Sequence, residues 1–538
     1  MASDPLPFAH SPAARAELLL GRARLVRRVT ERVAPAGLVS APCESRVLES
    51  ALLLHLLTAE DVAPDAADRL RRHLKGALDT GTPDAVQTAL GRAALGDTAA
   101  GNESAMWVLT AFEHFTAPRK RLMFQTLLAE LGACAYPLPA VRSVRVDGQQ
   151  SWLRLEMRAI EILLAHGNGS GHTVTADDWT QLAPAVRPGP VWEGNHLARL
   201  LGLLALRKHP EHRPAVRRAL RAVVAELRPD GGLPYITGLD VFATAIAGLA
   251  LATSGAAAPL IASMAGALAA QQNPDGGFGY TVGVRQSDVD DTSYAIEFLR
   301  TAAPRTHTAT IERAEAFLLA QRNPDGGFPT FTAGAPSEVA MTAAAVNALA
   351  GNPAHRAVAE RGVAFIVSQG GPAGVLERGW SRNLTNAVFR ATLACATVRD
   401  DAPAALPKAA SATARGVIGH LVSTQGQDGG WGHWRGDRSD PISTAYAVIA
   451  LSRAPGQADS FDRALRYLVG RQRPDGGYVS RPDQVGPRPF SYDVPALADV
   501  CVLLALAHAA PATGTRAPSP AAGPRTSRAG RDRSATMG

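Results

Sequence analysis

Three carboxylates stand within four residues in Asp288-Val289-Asp290-Asp291, inside the run SDVDDTSYAIEFLR. Carboxylates crowded this closely repel one another, so at least one is driven toward keeping its proton at neutral pH. The residues that follow read as a helix, with Tyr294, Ile296, Phe298 and Leu299 as its apolar content, which places the aspartates at a helix N-terminus. Two roles suit such a group. Asp commonly caps a helix by accepting backbone N–H bonds. A carboxylic acid kept neutral in an apolar cavity is also a strong proton donor. The elements around the motif decide between them.

Those elements repeat. Pro-Asp-Gly-Gly occurs at Pro229–Gly232, Pro274–Gly277, Pro324–Gly327 and Pro474–Gly477, and Gln427-Asp428-Gly429-Gly430 is a fifth copy. The aspartates are spaced by 45, 50, 103 and 47 residues, and the long step is about two periods. A worn copy in SQGGPAG, Ser368 to Gly374, fills that gap, and Arg187-Pro188-Gly189-Pro190 lies one period before the first. Each copy follows a helical run that ends near Gln or Arg, and an aromatic usually comes next: Phe278, Phe328, Trp431, Tyr478. The tetrads are expected to be structural turns. The glycines supply positive φ, the aspartate binds local amides, and the aromatic covers the following helix. A period near 50 leaves room for an inner and an outer helix per unit, closing into a ring or solenoid.

Composition agrees. Charged residues are 19% of 538, period-2 strand patterns are scarce, and the chain reads as all-α. The net charge of +7 is a weak argument for nucleic acid. Five arginines against Asp532 in residues 510–538 supply +4 of it, in a stretch of disordered composition, and no nucleic-acid module is present. Cys43, Cys134, Cys395 and Cys501 are far apart, without zinc spacing or a disulfide framework, as suits a cytoplasmic protein. No signal peptide and no transmembrane run is expected. The expected division is an N-terminal helix in 1–44 packing on the ring, a tetrad-free helical domain in 45–180, the repeat ring in 181–510, and a basic tail in 511–538.

Glutamine-led Asp-Gly-Gly-aromatic repeats combined with Asp-x-Asp-Asp resemble the class II terpene cyclases, over about residues 10–510. The resemblance implies two α/α-barrel-like helical domains, of β and γ type. It also implies proton-initiated cyclisation of farnesyl or geranylgeranyl diphosphate to a drimane- or labdane-type bicycle, with diphosphate retained. Asp290 would be the acid, supported by Asp288 and Asp291, and Asn347 in SEVAMTAAAVNALA would orient its proton. Trp380, Phe242, Tyr294 and Phe389 would line the pocket, because aromatic faces stabilise passing cations without acting as bases. Tyr235 and Arg158 stand where plant relatives use Asn and His to quench the cation. Arg142, Arg145 and Arg158 are the resulting diphosphate candidates. Magnesium is expected, with Glu113 as the one acidic residue at the matching place; Glu60-Asp61 and Asp65 are not favoured. No DDxxD is present, since Asp400-Asp401 continues into Ala-Pro-Ala, so diphosphate should stay on the product for a downstream terpene synthase or phosphatase. The competing classes are a squalene–hopene type cyclase, a prenyltransferase subunit with a zinc site this chain lacks, and a non-catalytic α/α-barrel binding protein.

Overall fold

The computed structural model describes residues 12–80, 84–99, 102–111, 116–138, 149–370, 379–403 and 405–510. Helix α1 (Pro12–Glu31) opens the chain. A first group follows: α2 (Val47–Glu60), α3 (Pro64–Asp79), α4 (Ala85–Ala94), α5 (Asn102–Ala111), α6 (Ala117–Glu130), α7 (Ser151–Gly167), α8 (Ala176–Thr180), α9 (His196–Leu206) and α10 (Arg213–Val224). The second group alternates inner and outer helices. The inner ones are α11 (Asp240–Thr253), α13 (Val289–Ala302), α15 (Val339–Leu349), α17 (Thr385–Cys395), α19 (Pro441–Leu451) and α21 (Ala496–Ala509). Between them run α12 (Ala258–Ala269), α14 (Thr308–Gln321), α16 (Arg356–Ser368), α18 (Leu406–Ser423) and α20 (Ala458–Arg471). The named strands are β1 (Ser45–Arg46) and β2 (Leu233–Pro234), which pair antiparallel with Arg46 opposite Leu233.

The tetrads fold alike. In each, the aspartate accepts the amide of the second glycine at 2.9–3.1 Å while the first glycine takes a φ of 82° to 88°. A β-carbon at Gly276 or Gly429 would also strike the carbonyl of the next outer helix, so only glycine fits. The preceding glutamine bridges outward: Gln272 to the Thr310 carbonyl and Gln425 to the Ser460 carbonyl. Inward, the amides of Phe278, Phe328 and Trp431 donate to Thr292, Thr342 and Thr444 on the next inner helix. Each turn therefore ties one outer helix to the following pair.

Six inner helices contact one another in sequence, and α21 returns to α11, which closes the ring. Among the described residues five outer helices follow the first tetrad, and α1 takes the sixth place. It packs on α21 and α20, and Gln472 of the last tetrad reaches the Gly21 carbonyl. The ring is thus completed from the N-terminus. The sequence reading put 181 at the start of the ring. Helices α9 and α10, ahead of the first tetrad, pack instead on α7 and α2, so the ring proper begins near Pro229. Within the first group Glu60 of α2 ties that helix to the end of α9 and to α10, its buried carboxylate pairing with Arg207, Arg213 and Arg217. The basic tail and most of the worn repeat lie outside the described residues, and no described helix is long and apolar enough to cross a membrane.

Candidate active site

Asp288 is the N-cap of α13. Its Oδ1 accepts the Asp291 amide at 2.8 Å, and its own amide donates to the Phe278 carbonyl that leads out of the tetrad. The capping role is therefore real, and it serves a second purpose. The cap fixes Asp290 in the first turn, at the inner end of the ring, where it lines a cavity with Asp288 and Asp291. Burial pushes Asp288 up, and burial together with the Asp288 carboxyl pushes Asp291 well above the ordinary carboxylate range. The two carboxyls share a hydrogen bond, so the pair retains a proton at neutral pH. The Asp290 side chain is 19% exposed to the cavity, and its Oδ1 lies 2.7 Å from Nη2 of the buried Arg390.

The rest of this wall is aromatic. Trp152 lies edge-on to Tyr280 and Phe331 with ring centres at 6.0 and 5.0 Å, and Phe331 lies edge-on to Trp380 at 5.4 Å. Tyr235, Phe242 and Tyr492 complete it. Such faces suit a cation in transit. Trp152 comes from the first helical group. Its helix start is held by the Ser151 amide on Gln286 Oε1, in the loop just before the acid motif.

Across Trp152, Tyr235, Thr330, Phe331 and Trp380, which line both, the cavity adjoins a polar chamber lined by Arg119, Lys120 and Arg488. Lys120 and Glu156 are both buried there, and burial drives each toward its neutral form against the pull of the other. Burial also lowers Arg119, to about 10. Arg488 Nη1 reaches Glu338 Oε2 at 2.8 Å, and its guanidinium lies 4.2 Å over Trp380. Trp380 Nε1 donates to Thr330 Oγ1, which donates to Glu338. Glu338 stands at the N-cap position of α15 as Asp288 does at α13, but its side chain makes no capping bond and turns to Thr330 and Arg488, so one repeat position serves the acid in one unit and the cationic chamber in the next.

These positions bring together part of what the sequence suggested. Asp288, Asp290, Asp291, Trp380, Phe242 and Tyr235 line the cavity. Tyr294 and Phe389 stand one layer behind it, Tyr294 edge-on to Phe242 and Phe389 stacked on Tyr446, and both lie under the Arg390 guanidinium. Asn347 donates to the Arg390 carbonyl at 3.4 Å, and it is the Arg390 guanidinium that meets Asp290. Arg158 is corrected outright. It pairs with Glu161 and Asp178 on the outside of α7, away from the cavity. Arg142, Arg145 and Glu113 lie outside the described residues. Glu60 is committed to its three arginines. Among the described residues no three metal-binding side chains cluster, and the chamber's own carboxylates already face Lys120 and Arg488.

Sequence reasoning missed Trp152, Tyr280, Phe331, Tyr492, Arg390 and the cations Arg119, Lys120 and Arg488. For two aromatics a signal existed. Tyr280 and Phe331 follow the tetrad aromatics Phe278 and Phe328 by two and three residues, in the loops that must run to the inner helix starts. Arg119 and Lys120 sit in FEHFTAPRKRL, a segment searched for its acid rather than its bases.

Comparison with known proteins agrees with this geometry. The family described as the prenyltransferase alpha-alpha toroid domain matches residues 198–369 and 293–492. A drimenyl diphosphate synthase from Streptantibioticus cattleyicolor is 60% identical over 515 residues, covering 94% of this chain and 97% of the relative. One from Streptomyces showdoensis is 52% identical over 524 residues, covering 95% and 98%. Among solved structures, ent-copalyl diphosphate synthase from Streptomyces platensis superposes with a TM-score of 0.57 over 91% of this chain and 99% of its own. At 20% identity it speaks for the fold.

Proposed function

The chain belongs to the class II terpene cyclases that convert a prenyl diphosphate to a bicyclic drimane- or labdane-type diphosphate, and within that family we propose that its substrate is farnesyl diphosphate and its product drimenyl diphosphate. The names of relatives at 60% and 52% identity support the C15 choice. One observation carries the assignment of roles. The three aspartates line one chamber and the cations Arg119, Lys120 and Arg488 line a second, and the two adjoin at five shared residues. A chain with an alkene at one end and a diphosphate at the other has matching chemistry at both.

In this reading Arg119, Lys120 and Arg488 hold the diphosphate by charge-assisted hydrogen bonds. The terminal alkene lies against Asp290, which donates its proton to form a tertiary cation. Neighbouring double bonds attack that cation in turn while Trp152, Phe331, Trp380 and Phe242 present their faces to the charge. Asp288 and Asp291 set the first turn of α13, and so hold the acid in place. Loss of a proton to a base or held water ends the reaction with the diphosphate intact. A separate enzyme that ionises or hydrolyses the diphosphate would then take the product onward.

The test is incubation of the purified protein with C15 and C20 prenyl diphosphates, with phosphatase treatment only after quenching. Farnesyl diphosphate should be preferred and should give a bicyclic alcohol only after phosphatase. Asp290→Asn should fold and lose turnover. Preference for the C20 substrate, or turnover retained in Asp290→Asn, would refute the corresponding half.

A further inference from the structure

Thr330 stands in the walls of both chambers and is tied to three parts of the site. Its carbonyl accepts the Val289 amide at 2.9 Å, the N–H between the capping Asp288 and the acid Asp290. Its hydroxyl accepts from Trp380 Nε1 at 2.8 Å and donates to Glu338 Oε1 at 2.5 Å. The Glu338 carboxylate in turn meets the Arg488 guanidinium at 2.8 and 3.3 Å, and that guanidinium lies 4.2 Å over the Trp380 ring. Thr330, Glu338 and Arg488 are all buried. These groups form a closed circuit from the cationic chamber to the aromatic wall and back.

The direction of the circuit is fixed. An indole N–H can only donate and a carboxylate can only accept, so the hydroxyl between them has one orientation. The carbonyl bond is the ring's own: in the unit before, the Phe242 amide in the first turn of α11 donates to the Tyr280 carbonyl at 3.2 Å. The hydroxyl bond is what this unit adds. Ser480 also stands two residues after a tetrad aromatic, but it turns its hydroxyl back to Asp440, the cap of the preceding inner helix, at 2.9 Å. Thr330 turns forward, to the carboxylate that faces the cations. Phe331 follows it in sequence and lies edge-on to both Trp380 and Trp152, so the tilt of Trp380 sets the whole row of rings.

We propose that Thr330 is the positioning residue that couples the two chambers: a diphosphate seated on Arg488 sets, through Glu338 and the Thr330 hydroxyl, the rings that face the cation. A carboxylate that shares its arginine with a second anion relies more on its other donors, and the Thr330 hydroxyl is one of them. That bond then holds Trp380 against Phe331 when the phosphate end of the substrate is in place. Binding at a non-reacting end thereby contributes to the step at the reacting end. Thr330 acts through Trp380 and not on the reacting carbons. The inference rests on the cationic chamber taking the diphosphate.

Farnesol, which carries the alkene without the diphosphate, separates the two ends. The test measures its cyclisation by the full chain with and without inorganic diphosphate, beside calorimetric binding of inorganic diphosphate. The ratio of the two rates is independent of how much of a variant is folded. Inorganic diphosphate should raise the wild-type rate about tenfold or more. In Thr330→Val, which keeps the shape and loses the hydroxyl, it should change the rate by less than about twofold while still binding. Thr330→Ser should recover the stimulation. A stimulation kept in Thr330→Val, lost in Thr330→Ser, or missing from the wild type despite binding would overturn the proposal. Inorganic diphosphate that fails to bind, or that binds Arg488→Ala as well as the wild type, would instead remove the diphosphate assignment beneath it.

Discussion

Replacing Arg488 with alanine has two consequences of different size, read by different assays. Its guanidinium is 6% exposed, makes contacts of 2.8 and 3.3 Å to Glu338, and stacks on Trp380 at 4.2 Å. Removing the cation from a buried pair costs about 3–5 kcal/mol of folding stability, because the remaining carboxylate keeps its desolvation penalty. Loss of a charge-assisted contact to the substrate diphosphate costs about 1.5–3 kcal/mol of binding. At about 1.4 kcal/mol per tenfold, KM for farnesyl diphosphate should rise about 10- to 140-fold. The double variant Arg488→Ala/Glu338→Gln separates the two. It removes the stranded charge, so thermal unfolding should recover most of the lost stability while KM stays high. An unchanged KM in Arg488→Ala, or a KM restored in the double variant, would refute a diphosphate contact and leave Arg488 as the neutraliser of Glu338.

Other consequences follow from the same contacts. At Glu60 burial opposes ionisation, but hydrogen bonds from Arg213, Arg207 and Arg217 outweigh it and hold the carboxyl below its ordinary range. Glu60→Gln should therefore cost about 1–3 kcal/mol at pH 7 in denaturant unfolding, a difference that disappears as pH falls through the lowered folded-state value. Asp325 accepts from the Gly327 amide and from Ser337, so Asp325→Ala should lower stability by about 1–3 kcal/mol and leave KM unchanged. Glu297 is raised to about 7 from an ordinary 4.5, so between those values the unfolded chain binds fewer protons than the folded one. Its contribution is full below pH 4.5 and lost as pH rises through 7, and Glu297→Gln should flatten that part of a Tm-against-pH profile.

The repeat ring was legible because its signals are local. Asp-Gly-Gly fixes a turn whose geometry depends on residues within two positions, and a capping aspartate announces its helix start. The acid motif was legible for the same reason. What escaped depends on the meeting of distant segments. Arg390 reaches Asp290 from two inner helices further round the ring, a hundred residues away, and no spacing rule connects them. Arg119, Lys120 and Arg488 converge from α6 and from a loop some 370 residues later, across the seam between the two helical groups. Arg158 failed for the converse reason. It lies in a helix that does line the cavity through Trp152, but the helical repeat turns it to the opposite side, where Asp178 takes it.

The central claim is that an acid of the protein protonates a prenyl diphosphate and that the diphosphate is untouched. Turnover of farnesyl diphosphate in D2O, with the product examined by mass spectrometry before phosphatase treatment, tests both halves at once. The account predicts a bicyclic product with both phosphates and one solvent deuterium, on the carbon protonated in the first step. A product lacking the deuterium, or one that has lost its diphosphate, would contradict it.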